Sequence, residues 1–444
     1  MIDSDLFLQL YSAVQESYRR IGSPERILAA FSGGADSTAL LLILKELSVR
    51  IGFELFAAHV NHGIRASASA DESIARDFCL AREIPFAALS ISMKGQSENE
   101  ARIKRYQVLT EYAVSRRCTH IATAHHLYDS TETVFLHMLR GSVRGLEGIR
   151  EIRCVPGTDL FLWRPLLRQT PDDMRAMLKS MQIPWAEDES NRDRSYERNR
   201  LRLDLLPLLR EISPQADRHL LITSRVLQDE NDYFDSCARE FLEAYANRSL
   251  PCPFICADPL SLQHPAMQRR ILRAFVQTVS GISIESGDVF RIASLEPGQR
   301  YQMKNMTFSR SQSRLHLTLH TVKPRFSLSS FDITEESAGF GNGLDTQLFP
   351  RALLEKCTVR GREAGDVIVP FGTSREKRIQ DYLIDRKIDR AFRSYIPLLC
   401  IGSQVLWAVG VGVSEKLRSC AGSETVFLRF RDPIPWKYIK QKEQ

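Results

Sequence analysis

The chain lacks the paired cysteines that a zinc ribbon or a disulfide framework requires. Its nine cysteines are an odd number scattered over 444 residues, and no C-x-x-C occurs. Cys252 and Cys256 lie closest together, but Pro251 and Pro253 flank the first of them and no second pair follows. We interpret the cysteines as structural thiols, and chemistry that depends on paired cysteines is disfavoured.

Long apolar runs are also missing, and no stretch reaches the length of a membrane span. The first residues, Met1 to Asp5, lack the basic start and apolar core of a signal peptide. We therefore expect a cytoplasmic protein with no membrane partner. The formal net charge of +6 permits a nucleic-acid partner without requiring one. A chain of 444 residues exceeds what one hydrophobic core usually supports, so two or three domains are expected.

No Walker A loop is present, because no Lys follows the glycines of the one glycine-rich turn that opens a helix. That turn follows an apolar strand, Ile27 to Phe31, and precedes a helix that starts near Thr38. Its residues are Ser32, Gly33, Gly34, Ala35, Asp36 and Ser37. Glycines let the backbone approach a ligand, and the free N–H groups and dipole of a helix start stabilise an anion. The loop indicates a phosphate site, with an ordinary capped turn as the alternative.

Strand-like and helical segments alternate from residue 27 to about 125. This alternation predicts an α/β fold in which helices cover a parallel sheet. Ligands of such sheets bind beyond the carboxyl ends of the strands. Two further polar clusters fall at those ends: His59, Asn61 and His62, and His125, His126, Asp129 and Glu132. The first cluster could frame a nucleotide or form a plain turn.

Asp129 and Glu132 are three residues apart at the start of a predicted helix, so both carboxylates project from one face. They could hold Mg²⁺ through oxygen ligands or grip an ammonium group. Acidic residues that merely suit the helix dipole are the alternative. Arg102 and Arg105 lie one turn apart on another predicted helix, where a solvated charged face is the usual meaning.

Three domains are predicted along the chain. The first covers 1–215, the second is a helical middle domain at 216–325, and a small α+β domain covers 345–440. Six arginines stand against three acids between 191 and 210, with Tyr196 among them, enough to contact phosphates and stack a base. The segment 360–393 is basic more loosely, and a solvated surface remains its alternative reading.

In this order the motifs resemble the tRNA(Ile)-lysidine synthetase family, a group of PP-loop ATP pyrophosphatases. The likeness rests on Ser32–Ser37, His59–Arg65, Glu100–Tyr106, His125–Thr133, Trp163–Leu167, Arg198–Arg202 and Arg360–Asp366. Two positions depart from the family's H-x-D-D-Q-x-E-T, since Tyr128 and Ser130 stand where Asp and Gln are usual.

The resemblance implies a Rossmann-like, parallel-sheet PP-loop domain that cleaves ATP between its α and β phosphates. It implies that L-lysine is joined to the wobble cytidine of a tRNA(Ile) with a CAU anticodon, through an adenylated cytidine. The tRNA would be held by the middle and C-terminal domains, and a homodimer is left open. Another PP-loop tRNA-modifying enzyme, such as a tRNA thiolase, is the alternative, although such enzymes normally need paired cysteines.

The resemblance also implies roles for individual residues. Asp36 would be the Mg²⁺ ligand, while Asp129 and Glu132 would hold the lysine ammonium group. The residues expected to stabilise phosphates are Arg102, Arg105 and Arg202. Those expected to bind ATP are Ser32, Gly33, Gly34, Ala35, Asp36, Ser37, His59, Asn61 and His62.

Overall fold

The computed structural model describes residues 5–61, 68–91, 98–186, 194, 197–322, 326–335, 341–420, 424–432, 434 and 436. The chain divides into two units, Met1–Asn231 and Asp232–Gln444. The predicted boundaries at 215, 325 and 345 stay predictions. Within the described residues, no helix combines the length and apolar character needed to span a bilayer.

The first unit alternates strands and helices, as predicted. Its strands are β1 (Arg26–Ala30), β2 (Glu54–Asn61), β3 (Phe86–Ser90), β4 (His120–Ala122), β5 (Ile152–Cys154) and β6 (Phe161–Trp163). Its first six helices are α1 (Asp5–Arg20), α2 (Ala35–Ile51), α3 (Ala68–Leu80), α4 (Glu98–Ser115), α5 (Leu127–Leu139) and α6 (Pro171–Ser180). Then follow α7 (Glu197–Arg200), a π-helical turn (Leu201–Leu205), α8 (Leu206–Ile212) and α9 (Ala216–Tyr245), whose last residues belong to the second unit.

Among the described strands of this unit, the sheet has the order β3-β2-β1-β4-β6-β5. The first five strands in that order pair in parallel, and β5 pairs antiparallel to β6. The central strand is apolar throughout because helices cover both of its faces: Ile27 and Leu28 are fully buried in two different clusters. This confirms the predicted α/β fold, in which helices cover a parallel sheet. Strands β1, β2 and β4 end on the same side, which we call the carboxyl edge.

The second unit begins within α9. Its helices are α10 (Ala257–Ser261), α11 (Pro265–Ser280), α12 (Ser286–Ala293), α13 (Arg351–Leu354) and α14 (Ile379–Asp385). Its strands are β7 (Ala246–Asn247), β8 (Phe254–Cys256), β9 (Arg300–Met303), β10 (Met306–Arg310), β11 (Arg314–Leu319), β12 (Phe331–Thr334), β13 (Thr346–Pro350), β14 (Thr358–Arg360), β15 (Val367–Ile368), β16 (Lys377–Arg378), β17 (Leu398–Ile401), β18 (Gln404–Ala408), β19 (Gly412–Val413) and β20 (Thr425–Phe430).

Three sheets organise the described part of the second unit. The first has the order β7-β8-β11-β10-β9 and packs against α11, with Phe275 and Phe308 fully buried between them. The second is β12-β20-β13, and the third is β14-β17-β18-β15-β16 with β19 paired to β18. Trp407 of β18 is fully buried in a cluster that includes strands from both of these sheets.

Candidate active site

The glycine-rich loop joins β1 to α2 at the carboxyl edge. Gly33 has a φ of +84°, a left-handed conformation that favours glycine, and Gly34 is extended and caps α2. The hydroxyl oxygens of Ser32 and Ser37 lie 3.0 Å apart, and Ser37 Oγ donates to the Gly34 carbonyl at 3.0 Å. On the other side, the Ala186 N–H donates to the Gly33 carbonyl at 3.0 Å. The loop is thus fixed by its own serines and by a neighbouring segment.

Asp36 lies in the first turn of α2, beside this loop. Its Oδ1 is buried and has no hydrogen-bond partner among the described residues, while Oδ2 lies 3.7 Å from His126 Nε2. Burial raises the pKa of the Asp36 carboxyl, and the nearby His126 and Arg175 only partly oppose that effect. An orphaned, desolvated carboxylate oxygen is suited to a cation, because a cation would supply the missing partner.

His126 and Asp129 cap α5 reciprocally. The His126 N–H donates to Asp129 Oδ2 at 3.1 Å, and the Asp129 N–H donates to His126 Nδ1 at 3.3 Å. Because Nδ1 accepts a hydrogen bond, a neutral His126 ring carries its proton on Nε2. That nitrogen lies 3.4 Å from Asp129 Oδ2 and 3.7 Å from Asp36 Oδ2. His126 therefore connects the carboxylate of the glycine-rich loop with the carboxylate of α5.

Glu132 is fully buried, and two guanidinium groups surround it. Arg198 Nε donates to its Oε2 at 2.7 Å, and Arg202 donates to Oε1 from Nε at 2.6 Å and to Oε2 from Nη2 at 3.0 Å. Arg198 Nη2 also donates to Asp129 Oδ1 at 3.1 Å. Asp129 and Glu132 do share one helix face, as the spacing predicted, and both are paired with arginine.

Burial would raise the pKa of Asp129, but His126 and Arg198 outweigh it and hold that pKa below its usual value. His125 responds in the opposite direction, since burial lowers the pKa of its imidazole to about 3. Its Nδ1 lies 2.9 Å from Thr123 Oγ1. At neutral pH this part of the carboxyl edge therefore holds an ionised Asp129 and a neutral His125.

The remaining predicted residues lie around this centre. His59 is buried, with Nδ1 3.0 Å from the Phe31 carbonyl, and Asn61 Nδ2 donates to Glu72 Oε2 at 3.4 Å. His62 lies outside the described residues. Arg102 and Arg105 are exposed on α4, and their guanidinium carbons lie 6.0 and 5.8 Å from the centre of the Tyr106 ring. Their predicted role toward phosphates stays a prediction.

Two sets of contacts in the site were not predicted from the sequence. Arg198 belongs to the basic segment 191–210 and to one motif of the resemblance, but no carboxylate partner was predicted for it. For His126 the sequence left two alternatives, to polarise a phosphate or to cap the strand, and did not predict its position between Asp36 and Asp129. The arginine-rich composition of 191–210 was the available signal, but it indicated phosphate contacts. In this structure Arg202 instead pairs with Glu132, and its role toward phosphate stays a prediction.

Ser130, one of the two departures from the family pattern, is buried beside a tight turn. The Ile149 N–H donates to its Oγ at 3.5 Å. Gly148 has a φ of +60°, and a Cβ there would lie 2.9 Å from Ser130 Oγ. The short serine side chain thus leaves room for the turn at Gly148 to lie against α5.

Comparison with known proteins agrees with this geometry. The chain matches the family model of the PP-loop domain over residues 8–209, and the model of the TilS substrate C-terminal domain over 357–429. The fold and site thus define a PP-loop enzyme, a class that uses ATP.

Named relatives then give the family. A tRNA(Ile)-lysidine synthase from Synechococcus sp. is 35% identical over 280 residues, which cover 62% of this chain and 85% of the relative. One from Caldanaerobacter subterraneus is 27% identical over 438 residues, covering 91% and 93%. The chain belongs to the tRNA(Ile)-lysidine synthase family, and the predicted family and enzyme class are confirmed.

Among solved structures, the U34-tRNA thiolase NcsA from Methanococcus maripaludis matches with a TM-score of 0.44 and 16% identity. The match covers 50% of this chain and 80% of that chain. This similarity is too weak to bear on function.

Proposed function

We propose that this chain joins L-lysine to C2 of the wobble cytidine of a tRNA(Ile) with a CAU anticodon, in two steps. In the first, O2 of the cytidine attacks the α-phosphorus of ATP and pyrophosphate leaves. In the second, the ε-amine of lysine attacks C2, AMP leaves and the amine loses a proton. The target base must leave its stack to reach the carboxyl edge.

The observation that carries this proposal is the contact of His126 with two carboxylates of different origin. Its Nε2 lies 3.7 Å from Asp36, which belongs to the glycine-rich loop, and 3.4 Å from Asp129, which belongs to the acidic helix start. A group that holds ATP and a group that holds an ammonium ion are thereby neighbours. Successive attack at one phosphorus and one base carbon requires such proximity.

On the ATP side, the N-terminus of α2 and the loop Ser32–Ser37 would bind phosphate oxygens. Asp36 would hold Mg²⁺ through Oδ1, the buried oxygen that has no hydrogen-bond partner in the part of the chain that the structure describes. Mg²⁺ is usually bound by one or two carboxylates together with substrate phosphates, so one protein carboxylate fits this role. The cation would neutralise charge on the departing pyrophosphate.

On the lysine side, Asp129 and Glu132 would bind the ammonium group. Their two negative charges are matched by Arg198 and Arg202, so lysine must replace one guanidinium. The exchange conserves charge, because one cation takes the place of another. It also keeps the fully buried Glu132 paired, which matters because an unpaired buried charge is costly.

The tRNA would be held by basic residues outside this centre. Arg102 and Arg105 are exposed near the carboxyl edge and are suited to phosphate. The C-terminal segment carries exposed arginines, among them Arg362, Arg375, Arg378 and Arg390. Contacts of this kind position an RNA by its shape and backbone.

The test supplies ATP, labelled lysine and a panel of tRNA transcripts. Label is expected only in the isoleucine tRNA with a CAU anticodon, together with one AMP and one pyrophosphate for each lysine. Equal labelling of methionine tRNA, or no labelling of any transcript, would overturn the proposal.

A further inference from the structure

Tyr128 occupies the other position at which this chain departs from the family pattern. The guanidinium carbon of Arg210 lies 3.5 Å from the centre of its ring, directly over the aromatic face. Its hydroxyl donates to Asp172 Oδ2 at 3.0 Å. Burial and the Asp172 carboxylate raise the pKa of the Tyr128 phenol to about 12, so it remains a hydrogen-bond donor at neutral pH.

Arg210 is itself held in place from the other side. Its Nε donates to Asp217 Oδ2 at 2.7 Å and its Nη2 donates to Asp217 Oδ1 at 3.2 Å. Asp217 is only 4% exposed. A two-point bond to a buried carboxylate fixes the plane of the guanidinium, which is what stacking on a ring requires. Residues of α5, α6, α8 and α9 are therefore joined at one point, which we call the Tyr128 clamp (Tyr128, Asp172, Arg210 and Asp217).

The clamp acts on the same two segments as the ion pairs of the site. Tyr128 lies one helical turn before Glu132 on α5, so both side chains share a face. Arg210 lies on α8, which continues without a break from α7 and the π-helical turn that carry Arg198 and Arg202. Segment 197–212 is thus attached to α5 at two places: by ion pairs at Glu132 and by the stacked pair at Tyr128.

These two attachments differ in what happens when lysine arrives. An incoming ammonium group competes for Glu132 and Asp129, so it weakens the first attachment. It has no comparable effect on an arginine stacked on a tyrosine and bonded to Asp217. The second attachment therefore keeps segment 197–212 beside α5 while a guanidinium is exchanged for the substrate.

We propose that Tyr128 is a positioning residue for the lysine step. The clamp keeps segment 197–212 in a fixed position against α5. Lysine can then replace one arginine at Glu132 while the other arginine stays bound. This inference rests on the proposed function, because it concerns how the lysine substrate enters. It assigns no part to Tyr128 in the attack on ATP.

The test compares Tyr128→Ala, Tyr128→Phe and a matched control, Tyr112→Ala. Tyr112 also lies beneath an arginine, since the Arg116 guanidinium carbon is 5.3 Å from its ring centre, but that pair lies at the end of α4. Each variant is assayed for pyrophosphate release with tRNA and ATP, for KM and kcat toward lysine, and for thermal unfolding.

Tyr128→Ala is expected to raise the KM for lysine about tenfold while pyrophosphate release stays within about twofold of the unmodified protein. Tyr128→Phe keeps the stacked ring, so it should restore most of the lysine KM. Tyr112→Ala should change neither step. If Tyr128 had only a structural role, Tyr128→Ala would instead lower the rates of pyrophosphate release and of lysine attachment together.

Three results would overturn the inference: an unchanged lysine KM in Tyr128→Ala, an equal loss in both steps, or no recovery in Tyr128→Phe. Should Tyr128→Ala fail to fold, Arg210→Gln removes the same stack from the other side and must show the same selective rise in KM. If the unmodified protein attaches no lysine to any tRNA, the proposed function fails instead, and the two failures are distinguishable.

Discussion

An arginine–carboxylate cluster of the first unit and one of the second unit contain the same kind of ion pair in different surroundings. In the second unit Arg360 and Asp366 are six residues apart and bond at two points, at 2.8 and 2.7 Å. Both groups also bond to backbone, and Arg360 Nε lies 3.8 Å from Glu363 Oε2. Arg360 donates to the carbonyls of Gly361 and Gly402, and the Glu363 N–H donates to Asp366. These bonds form a brace: they hold the turn between Arg360 and Asp366 and join it to the Gly402 carbonyl.

The cluster of the first unit joins residues far apart in the chain. Arg198 and Arg202 bond to Asp129 and Glu132 across 66 to 70 positions of sequence. Both arginine side chains are about one third exposed, at 33% and 34%, while Glu132 is fully buried. A deep carboxylate beneath accessible cations can exchange them for another cation. We infer that the surroundings of the ion pair, rather than the ion pair itself, would distinguish the proposed lysine site from a purely structural pair.

The substitution Glu132→Gln tests this difference between the two clusters most directly. We expect kcat/KM for lysine to fall about 10³-fold, because a neutral amide leaves two guanidinium groups without their shared buried partner. Lysidine formation measures the second step, and pyrophosphate release measures the first.

The matched control is Glu16→Gln, which removes an exposed ion pair with Arg20 on α1. That variant should behave like the unmodified protein. An unchanged kcat/KM for lysine in Glu132→Gln would mean that the first cluster is a brace as well.

Asp36→Asn should affect the other step. We expect pyrophosphate release to fall about 10²-fold, because the amide is a poor ligand for Mg²⁺ beside the departing phosphates. The midpoint temperature of thermal unfolding should not fall, because burial disfavours the ionised carboxyl that the substitution removes.

Asp77→Asn, an exposed acid on α3, is the corresponding control. Pyrophosphate release by Asp36→Asn at the rate of the unmodified protein would remove Asp36 from its proposed role.

Loss of the Arg360–Asp366 pair in the second unit should lower the stability of the protein rather than the rate of its reaction. Asp366→Asn is expected to lower the free energy of unfolding by about 3 kcal/mol, since it leaves Arg360 without its buried partner. Chemical denaturation monitored by tryptophan fluorescence measures this, because Trp407 is buried in that unit.

Asp385→Asn breaks the exposed pair with Lys377 and should cost much less. Equal losses in the two variants would contradict the assignment of Arg360 and Asp366 as a brace.

The smallest expected effect is a pH dependence of the difference in unfolding free energy between the unmodified protein and Asp366→Asn. Burial opposes ionisation of Asp366, but hydrogen bonds from Arg360 and from the Glu363 N–H hold its pKa below the usual value. A lowered folded-state pKa gives stability that is present above the unfolded pKa, near 3.9, and is lost as pH falls through the folded value.

The gap in unfolding free energy between the unmodified protein and Asp366→Asn should therefore be constant from about pH 6 to 8 and narrow below about pH 4. Denaturation series at several pH values measure it. A gap that widens on acidification would show that the sign of this linkage is wrong.

Much of the first unit could be predicted from local pattern. The apolar strand before Ser32 and the glycines at 33 and 34 predicted a loop that opens a helix at a sheet edge, and the structure has that loop. The spacing of Asp129 and Glu132 predicted a shared face, because helix geometry depends only on separation along the chain.

Pairing with arginine could not be predicted in this way. Nothing local distinguishes Arg198 from Arg200, and the partners of Glu132 depend on where segment 197–212 crosses α5. The role of Tyr128 was hidden for the same reason, since Asp172, Arg210 and Asp217 come from three separate helices.

By itself the sequence determined the parallel sheet and the loop that opens a helix at its edge, and the resemblance of its motifs gave the family. The sheet and the loop follow from periodicity and glycine conformation, which are properties of short segments. The predicted phosphate and ammonium sites stay predictions. Only the tertiary structure decided which charges neutralise one another. Which charged side chains form ion pairs depends on the distance between them and on their burial. Both are set when segments that are distant in sequence pack together.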